Sequence, residues 1–376
     1  MDKQALIKSE FSRTDTKAIK GVAVVLMLFH HIAGFPERFP LDFLGFQSLW
    51  SSFVENGYLQ NFALSGKICV SLFFFLGGYG HFIRRKSSKL SITSEIFRLY
   101  CAYWKVFIIF VPIGILFFAN GEAELNSFCI RYLFDSRKAM ITTVISDFIG
   151  WTSRLNSEWW FFKSYICVLI LGYLFCELTD KNNSFWKDIF AVFVLDILIV
   201  SIFPSIAKTE LFSSLERNIY YQAFFMINGY STAYFAGIVF AKYNGIVWIM
   251  KKIQAIPRPA AASVLALGVL YWIRTYILVN ADILCCAFMI PMLTVFFSKC
   301  KIIKYVFEFL GKHSTNIWLI HSFYCYYFLE ITQLVFLTRN VWVDLLILLL
   351  LSLVSSIGLE WFYSLLGRRF RKQHTF

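Results

Sequence analysis

Long apolar runs recur along this chain, and they constrain its fold more than any other feature. Runs of about 18 or more apolar residues indicate transmembrane helices, because a helix pairs all of its backbone polar groups within itself in lipid. We therefore predict an all-α integral membrane protein with about ten transmembrane helices. The predicted spans are roughly 21–35, 62–82, 99–119, 158–177, 188–204, 220–241, 258–279, 281–298, 314–337 and 341–366. The apolar segment 139–150 is too short to span and is predicted to be an interfacial or re-entrant helix.

The charged residues support this fold class and exclude another. The chain is 58% hydrophobic and only 16% charged, which is too little charge to cover a soluble domain of 376 residues. Its formal net charge of +13 could suggest a nucleic-acid partner, but the basic residues lie in short groups between apolar runs. The positive-inside rule produces this placement. We therefore expect membrane lipids, and no nucleic acid, as partners.

The same basic residues predict the topology. If the N-terminus is cytoplasmic, 24 of the 36 Lys and Arg residues fall in inside segments and eight fall outside. Both termini are then predicted to be cytoplasmic. We expect one membrane domain over 1–376, with a tail at 1–19, a helical bundle at 20–366 and a tail at 367–376. No segment is long enough for a separate soluble core, so the chemistry is expected within the bundle.

The first predicted helix carries ionisable residues that hydrocarbon does not favour. Lys20 and His31 are eleven residues apart. This spacing is about 20° more than three full turns, so both side chains share one helix face, roughly 16 Å apart along the axis. Lys20 is either a positive-inside anchor or a functional cation. His31 is either a hydrogen-bonded bundle residue or a functional imidazole.

Five segments, in this order, resemble one family of membrane enzymes. TDTKAIKGVAVVLMLFHH at 14–31 is similar to the opening of the acyltransferase-3 family, where a basic residue, ten residues and a histidine follow one another. VSLFFFLGGYG at 70–80 resembles the second helix of the family, with Gly77 where serine is usual. The other three segments are SEIFRLYCAYW at 94–104, SEWWFFKSYICVLI at 157–170 and LGKHSTNIWLIHSF at 310–323. Within the third, Arg98 matches a family arginine, but Glu95 occupies the position of another.

The resemblance implies an activity. Members of this family move an acyl group, usually acetyl, from coenzyme A to a carbohydrate hydroxyl. The implied protein is a multi-pass enzyme of the bacterial cytoplasmic membrane that uses acetyl-CoA as co-substrate. Its acceptor would be a cell-surface or lipid-linked polysaccharide. No metal is expected, because no His or carboxylate group has ligand spacing.

The residues suit that chemistry. Transfer to an alcohol needs a base near neutral pH, and His31 is the predicted general base. His321 is the second predicted catalytic residue; it would orient His31, bind the acceptor or donate to the oxyanion, and the alternative is a packing role. Cations at the inner rim would hold the phosphates of the donor. The candidates are Lys20, Arg98, Arg84 and Arg85, and the last two could instead serve topology alone.

The acceptor side is predicted at the start of the fourth span. Glu158, Trp159 and Trp160 lie there, and Lys163 follows one turn later. Aromatic rings stack on sugars and carboxylates accept sugar hydroxyls, so Glu158, Trp160 and Lys163 are candidates for substrate binding. An interfacial tryptophan belt is the competing interpretation.

Three other functions remain open from the sequence. A transporter or glycan flippase would also carry buried Lys, Asp and His residues. A non-catalytic scaffold or sensor would not need Lys20 and His31 on one face. A membrane acyltransferase that modifies lipid or protein would keep the reaction and change the acceptor. The acceptor sugar, the acyl chain length, the membrane face of transfer and the oligomeric state are not determined by these residues. They also do not distinguish direct transfer from transfer through an acyl-histidine intermediate.

Overall fold

The computed structural model shows an all-helical protein in the part of the chain it describes. That part comprises residues 11–35, 57–87, 91–118, 137–202, 205–206, 230–278, 281–338 and 340–373, without the side chains of 137–139, 200 and 368–373. The helices are α1 (Arg13–Ala33), α2 (Tyr58–Leu64), α3 (Ile68–Lys86), α4 (Ile92–Phe117), α5 (Arg137–Phe148), α6 (Trp160–Thr179), α7 (Phe185–Ile197), α8 (Thr232–Lys242), α9 (Gly245–Gln254), α10 (Pro259–Tyr276), α11 (Asp282–Lys299), α12 (Lys301–Lys312), α13 (Ser314–Ser322), α14 (Leu329–Val335) and α15 (Val341–Gln373).

Several of these helices can cross a membrane. Six helical stretches are long and apolar enough, namely Arg13–Ala33, Tyr58–Lys86, Ile92–Phe117, Ser157–Thr179, Asp282–Lys299 and Val341–Gly367. A seventh candidate is the pair α8 and α9, which is bent by 73°. The prediction of a multi-pass helical protein is confirmed. The count of ten spans and the orientation of the termini stay predictions, and the first part of the predicted span 220–241 lies outside the described residues.

Two of the predicted spans are interrupted in ways that hydropathy does not reveal. The helix at the start of 188–204 passes into a π-helical turn at Leu198–Ile202. The span 314–337 is divided into α13, a second π-helical turn at Phe323–Tyr327, and α14. A π-turn bonds residues five apart instead of four, and such turns occur frequently at functional sites. The short helix predicted at 139–150 is present as α5.

The chain forms two compact units. The first unit consists of Met1–Leu26, Ser65–Ile96 and Trp160–Gly311; the second consists of Met27–Leu64, Phe97–Trp159 and Lys312–Phe376. In the first unit, α3 packs closely on α8 because glycines face the opposing backbones. A Cβ on Gly78 would overlap the main-chain oxygen of Tyr234, and a Cβ on Gly237 would overlap that of Phe75. Small residues of this kind allow membrane helices to approach closely.

A buried ion pair joins α10 and α11 in the first unit. Arg274 Nε lies 2.9 Å from Asp282 Oδ1, and the Ser71 hydroxyl donates to Asp282 Oδ2 at 2.6 Å. Arg274 also donates to the main-chain oxygen of Ser65. These two charges flank the turn between the helices, and they satisfy each other within a low-dielectric interior.

In the second unit, side chains of α4 bind the C-terminal end of α5. The hydroxyls of Tyr100 and Tyr103 donate to the main-chain oxygens of Ile149 and Asp147, at 2.8 and 2.6 Å. Trp104 Nε1 donates to the main-chain oxygen of Phe148 at 2.8 Å. Three side chains of one helix therefore satisfy the carbonyls at the end of α5, which have no donors within their own helix.

Candidate active site

His31 lies in the last turn of α1, inside the second unit. Its side chain is 9% exposed. The hydroxyl of Tyr326, in the π-turn, lies 3.1 Å from His31 Nδ1 and donates to the main-chain oxygen of His31 at 2.8 Å. Carbonyls in the last turn of a helix run out of intrahelical donors, so an external hydroxyl can be accommodated there. One tyrosine therefore holds both the ring and the backbone of His31.

Two further residues predicted from the sequence surround the His31 ring. Glu158 Oε2 lies 3.6 Å from His31 Nε2, and the ring centroid of His321 lies 4.9 Å from that of His31. His321 is fully buried, and its Nδ1 lies 2.7 Å from the main-chain oxygen of Trp318. The structure thus brings together residues that are separated by 127 and 163 positions in the sequence.

The backbone around Glu158 is held by polar side chains. Asn156 Nδ2 donates to the Ser322 hydroxyl at 2.7 Å, and the Glu158 amide donates to Asn156 Oδ1 at 3.1 Å. The Ser157 amide donates to the Tyr327 hydroxyl at 2.8 Å. Ser322 directly follows His321, so these bonds fix Glu158 against the segment that carries the second histidine.

Asp147 binds the backbone of the loop that precedes Glu158. Its carboxylate accepts from the amides of Arg154 and Leu155, at 3.2 and 2.7 Å, and from the Thr152 hydroxyl. Burial raises the pKa of the Asp147 carboxyl, and the bonds from Thr152 and the two amides partly offset this effect. A fully buried carboxylate is retained where several donors satisfy it. The loop that precedes Glu158 is therefore ordered by a side chain that is distant from the imidazole in sequence.

The arrangement suits proton transfer. A neutral imidazole next to a carboxylate can accept a proton and be stabilised as an imidazolium. In the part of the chain the structure describes, no three His, Cys, Asp or Glu side chains are grouped to hold a metal ion.

Comparison with protein families gives one match of nearly the full length. The model of the acyltransferase-3 family, described as an acyltransferase domain, matches residues 15–361. The chain belongs to the acyltransferase-3 family. The resemblance found in the sequence is confirmed, and the protein is a membrane acyltransferase by family. A search of curated proteins and a search of solved structures gave no match.

The two departures from the acyltransferase-3 pattern have visible neighbours. Glu95, which stands at a family arginine position, lies 3.3 Å from Arg84 Nε through its Oε1. At Gly77, where serine is usual in the family, a Cβ would lie 2.5 Å from the Tyr165 hydroxyl. Both pairs lie in the first unit, so each departure is matched by a side chain that takes up the charge or the space.

The predicted phosphate-binding cations differ in their surroundings. Arg85 binds both oxygens of Asp180, at 2.9 and 2.6 Å, and Glu177 at 2.7 Å. Lys20 is half-buried in the first unit, and Arg98 is exposed in the second. α1 runs unbroken from Arg13 to Ala33, so Lys20 and His31 share one helix, as the spacing predicted.

The predicted acceptor residues also differ. Glu158 lies at the imidazole, whereas Trp159 is buried and donates through Nε1 to the main-chain oxygen of Leu319 at 3.0 Å. Trp160 and Lys163 are half-buried residues of α6 in the first unit. The Trp159 ring is therefore packed within the second unit.

Sequence reasoning missed Tyr326, Tyr327, Asn156 and Asp147. A signal was present for the two tyrosines, because the segment FYCYY directly follows the family-like histidine. The contacts of the two tyrosines could not be predicted, because the π-turn changes which residues share a helix face. Asp147 and Asn156 gave no periodic signal, since both act through loop backbone.

Proposed function

We propose that this acyltransferase moves an acetyl group from acetyl-CoA to a hydroxyl of a cell-surface or lipid-linked polysaccharide, with His31 as general base. We further propose that it works in the bacterial cytoplasmic membrane. The observation that carries the proposal is the contact between His31 Nε2 and the Glu158 carboxylate at 3.6 Å.

The proposed reaction passes one proton through His31. Nε2 takes the proton of the acceptor hydroxyl as that oxygen bonds to the acyl carbon of the thioester. The carbon–sulfur bond then breaks, and the leaving thiolate takes the proton from the imidazolium. Glu158 lies beside the ring nitrogen that becomes positive, where a carboxylate stabilises the charge.

The surroundings of His321 narrow its proposed role. Its Nδ1 faces the main-chain oxygens of Trp318 and Ile317, which only accept hydrogen bonds. Nδ1 therefore carries the proton in the neutral ring, and Nε2 is an acceptor. This supports a role in accepting a hydrogen bond from the sugar, rather than in donating to an oxyanion.

The donor side rests on Lys20, Arg98, Arg84 and Arg85. Lys20 is the first candidate for a donor phosphate because it precedes His31 by eleven residues on one helix. Arg84 and Arg85 would bind phosphate only if their carboxylate pairs opened. On the acceptor side we propose Glu158 for hydroxyl binding, with Trp160 and Lys163 as further candidates.

The test compares two neighbouring histidines. His30 Nδ1 lies 3.1 Å from the main-chain oxygen of Ala63, so asparagine at position 30 can keep a donor there. His31→Asn likewise keeps a donor toward Tyr326 but has no second ring nitrogen. Proton NMR of surface glycan would be recorded from wild-type, deletion, His31→Asn and His30→Asn cells at matched membrane levels.

We expect O-acetyl signals in the wild type and in His30→Asn, and none in the deletion or in His31→Asn. Signals retained in His31→Asn but lost in the deletion would refute His31 as the base. Unchanged acetylation in the deletion would refute the acceptor class. Loss of the whole glycan from the surface of the deletion strain, by contrast, would favour a transporter or flippase.

A further inference from the structure

The Tyr326 hydroxyl contacts both the ring and the main chain of His31. We infer that Tyr326 is a positioning residue that holds neutral His31 in the tautomer with hydrogen on Nδ1, so that Nε2 is the basic nitrogen that faces Glu158. The inference rests on the proposed function only for its effect on turnover. The tautomer itself is a property of the resting protein.

The first step is the direction of two hydrogen bonds. A main-chain oxygen only accepts, so the Tyr326 hydroxyl donates its single proton to the oxygen of His31, at 2.8 Å. The same hydroxyl oxygen lies 3.1 Å from His31 Nδ1. With its proton already used, the hydroxyl can only accept there, and Nδ1 must be the donor.

The second step follows from the chemistry of imidazole. A neutral ring has one N–H and one lone pair. If Nδ1 carries the hydrogen, Nε2 carries the lone pair, and Nε2 is the atom 3.6 Å from Glu158. Because the hydrogen bond of one ring nitrogen sets the state of the other, Tyr326 determines which nitrogen acts as the base.

The third step is the placement of Tyr326 by the π-turn. His321 and Tyr326 are five residues apart. In a regular α-helix, at roughly 100° per residue, their side chains would point about 140° away from each other. Here the amide of Phe328 donates to the main-chain oxygen of Phe323, five residues earlier, at 2.7 Å. This wider turn returns Tyr326 toward the side of His321, and both rings contact His31, at centroid distances of 5.7 and 4.9 Å.

The test uses two tyrosines of the same turn. Tyr326→Phe removes the hydroxyl that binds His31. Tyr324→Phe removes a hydroxyl that lies 2.5 Å from Ser355 instead, so it is the matched control. Each protein would be purified as the full chain with ¹⁵N-labelled histidine. The spectra of the ring nitrogens would be recorded by solid-state NMR at a pH at which imidazole is neutral. The His31 signals are those lost from the His31→Asn variant among six histidines.

We expect wild type and Tyr324→Phe to show a protonated Nδ1 and an unprotonated Nε2 at His31. Tyr326→Phe should show a mixture of both tautomers. Its kcat should fall roughly ten- to a hundredfold, and the KM of the acceptor should change little, because binding groups are intact. The pH profile of kcat should also shift in Tyr326→Phe and stay fixed in Tyr324→Phe.

Two results would overturn the inference. One is a wild-type His31 with hydrogen on Nε2, which can be read even if Tyr326→Phe does not fold. The other is a Tyr326→Phe protein with unchanged His31 signals and kcat. The proposed function has its own test, because it fails if His31→Asn keeps full transferase activity. That result does not depend on the tautomer of His31 in the wild type.

Discussion

The carboxylate of Glu158 lies 3.6 Å from Nε2 of His31. The backbone amides of Leu155, Ser157 and Glu158 donate to Asp147, Tyr327 and Asn156, respectively. The distance from Glu158 to His31 is longer than a hydrogen bond of about 2.9 Å. The contact is therefore a charge interaction rather than a hydrogen bond, and in the proposed mechanism it stabilises the imidazolium.

Glu158→Gln should reduce kcat about ten- to a hundredfold, because it removes the charge that stabilises the imidazolium while keeping the shape of the side chain. The KM of the acyl donor should change little. Release of free thiol from acetyl-CoA in membranes, with acceptor added, measures both constants. Glu330→Gln, an exposed glutamate on α14, is the control and should behave as wild type. Equal activity of Glu158→Gln and wild type would contradict the role of Glu158.

Asn156→Ala should lower both stability and turnover. The substitution leaves the buried Ser322 hydroxyl and the Glu158 amide without the partner they now share, at a cost of about 1–3 kcal/mol. Thermal unfolding in detergent and kcat would be measured together.

Asn340→Ala is the control that separates the loss of stability from the loss of turnover. Its side chain accepts from the amides of Trp342 and Val343 at the start of α15, so its loss should cost about 1 kcal/mol. It should lower the unfolding temperature and leave kcat unchanged. If both asparagine variants lost activity in proportion to stability, Asn156 would have no special relation to the site.

Gly77→Ser, which introduces the residue usual in the family, should destabilise this protein by about 1–3 kcal/mol. The cause is the Tyr165 hydroxyl, 2.5 Å from the position of the added Cβ. Tyr165→Phe should recover part of the loss in the double variant, because the nearest atom is removed. Gly268→Ser is the control, since a Cβ there has open space. The unfolding temperature of the four proteins tests the prediction, and a stable Gly77→Ser would refute it.

The Arg85 guanidinium lowers the pKa of the Asp180 carboxyl below its ordinary value of 3.8. The stability from this pair is therefore present above pH 3.8 and is lost as the pH falls through the lowered pKa. Asp180 is 44% exposed, so the pair should contribute at most about 1 kcal/mol. Asp180→Asn should unfold at a slightly lower temperature than wild type at pH 7, and the two should converge in acid.

The same pair tests the role of Arg85. If Arg85 only holds Asp180 and Glu177, then Arg85→Ala and Asp180→Asn should have the same KM for the acyl donor. A KM that rises at least tenfold in Arg85→Ala alone would show that the guanidinium also binds the donor. Steady-state kinetics in membranes at fixed ionic strength distinguishes the two, because salt screens exposed pairs.

The sequence predicted a large part of this architecture because its signals are local. Apolar runs and the spacing of Lys20 and His31 indicate helices, and a family-like segment pointed to His321. Glu158 was a candidate because carboxylates accept sugar hydroxyls. The interruption at Phe323–Tyr327 was not predictable, because a π-turn has the same apolar composition as the helix it interrupts. The contacts of Asp147 depend on a loop fold, for which periodicity carries no information.

Because of the π-turn, the contacts of the two tyrosines also depend on the number of residues in this segment. Tyr326 and Tyr327 are adjacent and chemically identical, yet one binds His31 and the other binds Ser157. Deleting the single residue Cys325 would restore a regular turn and rotate each side chain that follows by about 100°. The two tyrosines would then exchange or lose their partners without any change in their identity. When this segment is aligned with another protein, a gap misplaced by one position would therefore assign the hydroxyl to the wrong tyrosine.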